Sequence, residues 1–278
     1  TRLYLRGAII RDAPSGRYTL AGYRDLATVD PFLRTGSFGN TLNALFTTHD
    51  DADYLLVQGA SLTRETSPGL GLDLTLSVRV EDHRSVATEA KSAVNDWYSD
   101  GRFAPNPAVA EGWFGGATMR IEKRLSAGRW VLGADLLGGE PGTTAKLFGE
   151  VRQRFGSGRS GVTVTTRAGM ATDDPLPQSA FRLGGQGTVR GYPYGALQGQ
   201  GFWSMQADIG FGKKAVRPVL FADAGQAGPR QGFFDREVLS GAGVGLSFFG
   251  GIARFDLSFP ITPKTGDPRF DLVFIAPR

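Results

Sequence analysis

Leu70-Gly71-Leu72-Asp73-Leu74-Thr75-Leu76-Ser77-Val78-Arg79-Val80-Glu81 is the stretch on which the fold turns. Leu70, Leu72, Leu74, Leu76, Val78 and Val80 alternate without a break against Gly71, Asp73, Thr75, Ser77, Arg79 and Glu81. Successive side chains of an extended backbone point to opposite faces, so this pattern is a strand with one apolar and one polar face. The alternation returns in Ala145, Leu147, Gly149, Val151 and Phe155 against Lys146, Glu150, Arg152 and Arg154. It returns again in Ala117, Met119 and Ile121, in Trp203, Met205, Ala207, Ile209 and Phe211, and in Phe255, Leu257 and Phe259, each set interleaved with polar residues or glycine.

Working outward, the same reading places strands at 2–11, 17–25, 53–64, 69–82, 112–123, 127–138, 142–155, 159–171, 200–212, 215–225, 237–248, 251–259 and 269–276. Segment 39–48 reads as a further strand or a short helix, and 26–52 and 83–111 read as long loops, the second holding a helical turn or two at 88–94. Turns fall at Ala13-Pro14-Ser15-Gly16, Ser67-Pro68-Gly69, Glu140-Pro141-Gly142, Gly156-Ser157-Gly158 and Phe249-Gly250-Gly251. Strands of this length exceed the 5–6 residues usual in soluble sheets and match the roughly 9–11 that cross a bilayer at a tilt. Two all-β solutions remain: a soluble sandwich or barrel that hides its apolar face, and a membrane barrel that turns that face to lipid around a wet lumen. The polar faces carry charges of both signs, and Trp113, Trp130, Trp203, Phe211 and Phe259 fall near strand ends, where interfacial girdles form. The expected fold is therefore an all-β transmembrane antiparallel barrel of 12–16 strands, with 14 the best count because such barrels close on an even number. One barrel domain covers 1–278, with no linker and no periplasmic module. Thr1 follows no initiator Met or signal core, so the chain reads as a mature product or the C-terminal part of a longer protein.

Composition narrows the function classes. Glycine makes up 40 of 278 residues, about 14%, too many for helix interiors, where each costs about 1 kcal/mol against Ala. With no Cys and only 2 His, disulfide scaffolds, thiol catalysis and zinc fingers are excluded, and little room is left for a zinc enzyme or a Ser-His-Asp hydrolase. A balance of 31 basic and 27 acidic residues gives +4, but the charges are interspersed and no basic run suggests nucleic acid. Gly156-Ser157-Gly158-Arg159-Ser160-Gly161 fits the dinucleotide pattern but lies between two strands with no helix to receive a pyrophosphate, so it reads as a hairpin turn. His49, Asp50, Asp51 and Asp53 resemble a small cation site, although contiguous carboxylates ahead of a strand read more readily as a solvated turn; His83 beside Asp82 reads as a loop residue.

Phe181-Arg182-Leu183-Gly184-Gly185-Gln186-Gly187-Thr188-Val189-Arg190-Gly191-Tyr192 stands out. A surface loop does not need Leu183, Val189 and Tyr192 among four glycines and two arginines. A loop folded back into a lumen does: its glycines allow close approach to the walls, and Arg190 would then require a carboxylate. The alternative is an ordinary flexible hairpin loop.

Leu183-Gly184-Gly185 followed by Val189-Arg190-Gly191-Tyr192 resembles the signature of the bacterial surface-antigen barrels. These form the outer-membrane insertase and translocase superfamily, related to the central subunit of the barrel assembly machinery and to the two-partner secretion transporters. In that family the motif tips the sixth extracellular loop, and its arginine meets an acid in a phenylalanine-x-aspartate-x-glycine motif two strands on. Here that motif stands as Phe221-Ala222-Asp223-Ala224-Gly225. The strand after the loop carries an inward acid, which maps to Asp208, and the alternation independently sets Gln206, Asp208 and Gly210 on one face. The resemblance continues through Gly241–Leu246 and Ile252–Pro260 and covers 180–276. It implies a loop–lumen anchor of Val189, Arg190, Gly191, Tyr192, Asp223 and Asp208, supported by Gly184, Gly185, Gly187, Phe221 and Gly225. The family's barrel has 16 strands preceded by periplasmic modules.

The function the resemblance implies is non-enzymatic, with no cofactor and no metal: a bacterial outer-membrane barrel, or one in an organelle membrane derived from it, that assists insertion or translocation of proteins. Its partners would be membrane lipid and an unfolded or nascent outer-membrane polypeptide. A barrel that anchors or exports a fused N-terminal domain is the alternative, and a passive pore is a third. In the family the seam between first and last strands admits nascent strands, which makes Leu3, Leu5, Phe270, Leu272 and Phe274 the candidate gate, with Asp271 facing the lumen. A barrel with an open seam could also close by forming a homodimer.

Overall fold

All thirteen stretches read as strands are strands of one sheet in the computed structural model, which describes residues 4–30, 32, 50–88, 103–156, 160–212, 216–264 and 266–274. They are β1 (Leu5–Ala13), β2 (Gly16–Thr28), β3 (Tyr54–Gly69), β4 (Leu72–Ser85), β5 (Gly112–Leu125), β6 (Gly128–Gly139), β7 (Gly142–Phe155) and β8 (Ser160–Ala171). After a small hairpin of β9 (Phe181–Leu183) and β10 (Leu197–Gly199) come β11 (Gly201–Phe211), β12 (Val216–Gly228), β13 (Leu239–Phe248), β14 (Ala253–Thr262) and β15 (Arg269–Phe274). Each long strand pairs antiparallel with its neighbour in sequence, and β8 pairs with β11 across the hairpin-bearing connection. Segments 39–48 and 89–94 lie outside the described residues.

Two details differ from the sequence reading. The sheet has 13 strands rather than an even number; β1 and β15 are its edges, and no ladder joins them among the described residues. The β3–β4 turn is also displaced from Ser67-Pro68-Gly69 to Leu70-Gly71, whose φ values of 54° and 70° are both left-handed. Two such residues make the two-residue turn whose twist matches a hairpin. Pro68, which cannot donate to a ladder, falls within the register shift between Thr66 and Gly69.

The distribution of side chains is inverted relative to a soluble protein. On β4, Val78 is 55% exposed and Val80 56%, whereas Glu81 is 8%. Leu132, Leu147, Val151, Met170 and Met205 likewise stand exposed, while Lys146, Glu150, Gln206, Asp223 and Asp256 are buried. Apolar groups face outward along β3–β14 and polar groups converge inward, the arrangement of a barrel surrounded by hydrocarbon.

The strand ends joined by the long connections 29–53, 86–111, 172–200, 229–238 and 263–268, and by the short 140–141, lie at one end of the sheet. Connections 14–15, 70–71, 126–127, 156–159, 212–215 and 249–252 are short and lie at the other. Outer-membrane barrels have this asymmetry, with short turns on the periplasmic side. Both edge strands run from the long-connection end toward the short-turn end, since β1 leads into 14–15 and β15 follows 263–268.

The 178–192 part of connection 172–200 occupies the interior. Phe181, Leu183, Val189 and Tyr192 form a buried cluster with Phe148 of β7, Ala171 of β8, Phe202 of β11, Ala227 of β12 and Leu239 of β13. Phe32, beyond β2, packs on the same cluster, its ring centroid 5.4 Å from Phe148 and 5.5 Å from Phe202. Chain from both halves of the sheet thus meets inside the cylinder.

Candidate functional site

The connection after β8 is tied down before it reaches the lumen. The Leu176 backbone N–H donates to Thr144 Oγ1 at 2.8 Å. Gln178 exchanges two hydrogen bonds with the Ala110 backbone, at 3.0 Å each. Arg182 forms an ion pair with Asp53. At the tip the loop satisfies its own backbone: Thr188 Oγ1 accepts from the Gly184 N–H at 2.8 Å and donates to the Gly184 carbonyl at 2.9 Å, and the Gly185 N–H donates to the Tyr192 carbonyl at 2.9 Å. Buried backbone groups without such partners would each cost about 1–3 kcal/mol.

Arg190, 4% exposed, lies at the centre of the anchor. Its Nε donates to Asp223 Oδ2 at 2.7 Å and its Nη2 to Asp223 Oδ1 at 2.6 Å, a two-pronged pair. The Arg190 backbone N–H adds a bond to Asp223 Oδ2 at 3.0 Å. Nη1 donates to Asp208 Oδ1 at 2.9 Å and lies 3.6 Å from Asp256 Oδ2. Phe221 lies beneath the guanidinium, its ring centroid 3.8 Å from Cζ. The planar fork of arginine allows paired donation and ring stacking at once, which a lysine ammonium cannot reproduce.

The structure brings Val189, Arg190, Tyr192, Asp208, Phe221, Asp223 and Gly225 together. A Cβ on Gly225 would lie 2.8 Å from Leu183 Cδ1 and 3.1 Å from Val189 Cγ2, so the aspartate-motif glycine is the hollow that receives the loop. Leu183 and Val189 are fully buried, each contributing about 1.5–3 kcal/mol of apolar burial. Gly191, at φ +94°, passes within 2.9 Å of the β14 backbone at Phe259 and Pro260, measured from the position a Cβ would take. The Tyr192 hydroxyl donates to the Pro263 carbonyl at 2.8 Å and lies 3.1 Å from that of Ser240. Gly184 and Gly185 have φ of +116° and +77°. Gly187 has open space at its Cβ position and no left-handed φ.

Several anchoring residues were not apparent from sequence. Arg254 on β14 donates to Asp208 Oδ1 at 2.8 Å and to Asp256 Oδ1 at 2.6 Å, extending the cluster to two arginines and three aspartates. Arg167 on β8 donates to Glu150 at 2.7 Å, to Gln206 Oε1 at 3.0 Å and to the Gly187 carbonyl, while Gln206 Nε2 donates to the Gln186 carbonyl at 3.1 Å. Asp51 and Asp53, read as a solvated turn, instead hold the loop: Asp51 is 7% exposed and accepts from the Gln186 N–H at 2.6 Å. His49 lies outside the described residues. His83 is no loop residue; it lies near the end of β4 on its inward face, 4% exposed, its ring tilted against Phe114 at 4.9 Å between centroids and 3.1 Å from Glu81. Nearby, burial pushes the Asp30 carboxyl up in pKa, against a hydrogen bond from the Phe32 N–H that lowers it.

The candidate gate residues fall on the sheet edges. Leu5 lies on β1 and is exposed, Phe270 and Leu272 lie on β15, and Asp271 points inward at 2% exposure. Phe274 is the last described residue of β15, and Leu3 lies outside the described residues. Among the described residues no cluster of three or more His, Asp or Glu could hold a metal.

Residues 157–248, from the β7–β8 turn through β13, match the sequence profile of the haemolysin secretion/activation proteins ShlB/FhaC/HecB. No curated protein matches the chain in sequence. Among solved structures, BamA from Haemophilus ducreyi lacking POTRA domains 1-3 is similar with a TM-score of 0.64 at 12% identity, over 97% of this chain and 61% of that one. CdiB from Acinetobacter baumannii is similar with a TM-score of 0.53 at 14% identity, over 93% of this chain and 46% of that one. The chain therefore spans between about half and three fifths of these structures. With a lipid-type exterior and an in-folded loop, the chain has the barrel fold of these solved structures, and residues 157–248 carry the profile of the haemolysin secretion/activation proteins.

Proposed function

We propose that this barrel passes a polypeptide across the outer membrane as a translocase of the haemolysin secretion/activation kind, with the in-folded loop as the strut that fixes its lumen. The observation that carries the reading is the Arg190 clamp, in which one loop arginine contacts acids on β11, β12 and β14. Three strands are thereby referenced to one point, and Arg167 of β8 holds the same loop at the Gly187 carbonyl. The matched profile favours secretion over insertion of barrel proteins, and a loop filling the lumen argues against a passive pore. An anchor or exporter for a fused N-terminal domain would use the same strut with its cargo in cis.

Secretion of a partner polypeptide from cells producing the full-length protein tests the strut. Arg190→Ala strips Asp223 of its guanidinium partner and leaves Asp208 and Asp256 to Arg254 alone, a loss of about 3–5 kcal/mol for a broken buried pair, and export should fall sharply. Arg190→Asp combined with Asp223→Arg should restore part of it. Unchanged export and unchanged heat resistance in Arg190→Ala would remove the strut role.

A second reading is favoured by one observation: along β1, Leu5–Asp12 are exposed on both faces, as an unpaired edge requires. In that reading substrate strands enter at the seam by pairing with an edge. A thiol-reactive tether between cysteines at Leu5 and Leu272 separates the two. Lumenal passage survives the tether, and release through the seam does not.

A further inference from the structure

Asp51 is a carboxylate shared by the loop tip and an edge strand. Its Oδ2 accepts the Gln186 N–H at 2.6 Å, and its Oδ1 lies 3.4 Å from Arg269 Nη2 at the start of β15. Gly185, at φ +77°, has the Asp51 carboxylate 2.8 Å from where a Cβ would stand, so any other residue there would displace it. Asp51 and Arg269 are 7% and 9% exposed, and a buried, charge-assisted contact is little screened by salt. Arg269 has a second acid within reach, Asp271 Oδ1 on its own strand at 3.7 Å. Its guanidinium is thus divided between a contact that ties β15 to the loop and one that leaves β15 independent of it.

We propose that Asp51 is a positioning residue that couples the in-folded loop to the last strand. With the loop seated, Gln186 holds the Asp51 carboxylate where Arg269 can reach it, and the upper end of β15 is fixed. When the loop tip withdraws, Asp51 loses its backbone donor, Arg269 turns to Asp271, and the edge is released. Asp53 supports this arrangement by gripping Arg182 at the entrance to the same loop, so that one short segment ahead of β3 holds both the base and the tip. The coupling extends the translocase reading to the edge strand, but it is defined without substrate.

The test is amide hydrogen exchange on the protein reconstituted in lipid vesicles, with no polypeptide substrate present. Asp51→Asn keeps an acceptor for the Gln186 N–H but removes the charge that holds Arg269. Exchange across 269–274 should then accelerate about fivefold or more, the lower end of ordinary site-to-site coupling, while 183–192 stays protected. Arg269→Gln should produce the same acceleration, and the double variant should add nothing further. If Asp51→Asn leaves 269–274 unchanged, or the two single effects add in full, Asp51 is a local loop contact and the coupling is refuted. Because secretion is not measured, that failure is distinct from failure of the translocase reading.

Discussion

At the scale of single residues, the site consists of charges removed from water. Arg190 is affordable inside the barrel only because Asp223 meets both prongs of its guanidinium and Asp208 takes the remaining nitrogen. The alternation and the motif made this pair legible, since both partners sit in short recognisable strings. Arg254, Asp256 and Asp51 were not legible as anchors, because periodicity tells which face a side chain takes and not which inward groups meet across a lumen. The glycines divide in the same way. Gly225→Ala should drive a methyl into Leu183 and lower the unfolding midpoint, at a cost of about 1–3 kcal/mol for an overpacked site. Gly187→Ala has open space and an unstrained backbone, so it should fold and export like the parent. Parallel urea titrations in vesicles compare the two, and equal losses would show that the loop does not rest in the Gly225 hollow.

At the scale of elements, the strands were the most legible part of the molecule. A twelve-residue alternation leaves few options, because a slip of one residue would turn every leucine of β4 inward. Turn positions were less legible: Ser67-Pro68-Gly69 has turn composition, yet the left-handed pair Leu70-Gly71 makes the reversal and the proline is absorbed in an irregularity of β3. The β9–β10 hairpin, with three residues a side, is too short to give a periodic signal. The two faces of β4 should respond oppositely to a charge. Val78→Arg, at mid-strand on the outer face, should cost about 2–4 kcal/mol in a bilayer, whereas Ser77→Arg, on the lumen side, should cost far less. Equilibrium unfolding of both variants in vesicles checks this, and reversed costs would mean the faces are assigned the wrong way round.

At the scale of the whole molecule, the apolar groups that would ordinarily be spent on a core are on the outside, and the interior is filled by a glycine-bearing loop and its acids. The alternation of apolar and charged faces showed that much, and composition agreed with it: abundant glycine, and charges of both signs with no continuous apolar run. The thirteen strands were legible one by one, but the even count expected of a closed barrel was not met, because parity is a property of the assembled sheet and no local pattern encodes it. That parity has a consequence for assembly. Two copies inserted the same way up expose four margins that all descend in one direction, so no pair of them can zip together in antiparallel fashion. A mixture of Leu5→Cys copies and Ala13→Cys copies should therefore give no more mixed covalent dimer than random collision provides, and efficient mixed cross-linking, which needs antiparallel edges, would contradict the topology. An antiparallel closure of the cylinder takes its strands from outside these thirteen and has them climb at both margins. The gap can take one strand or three, never two.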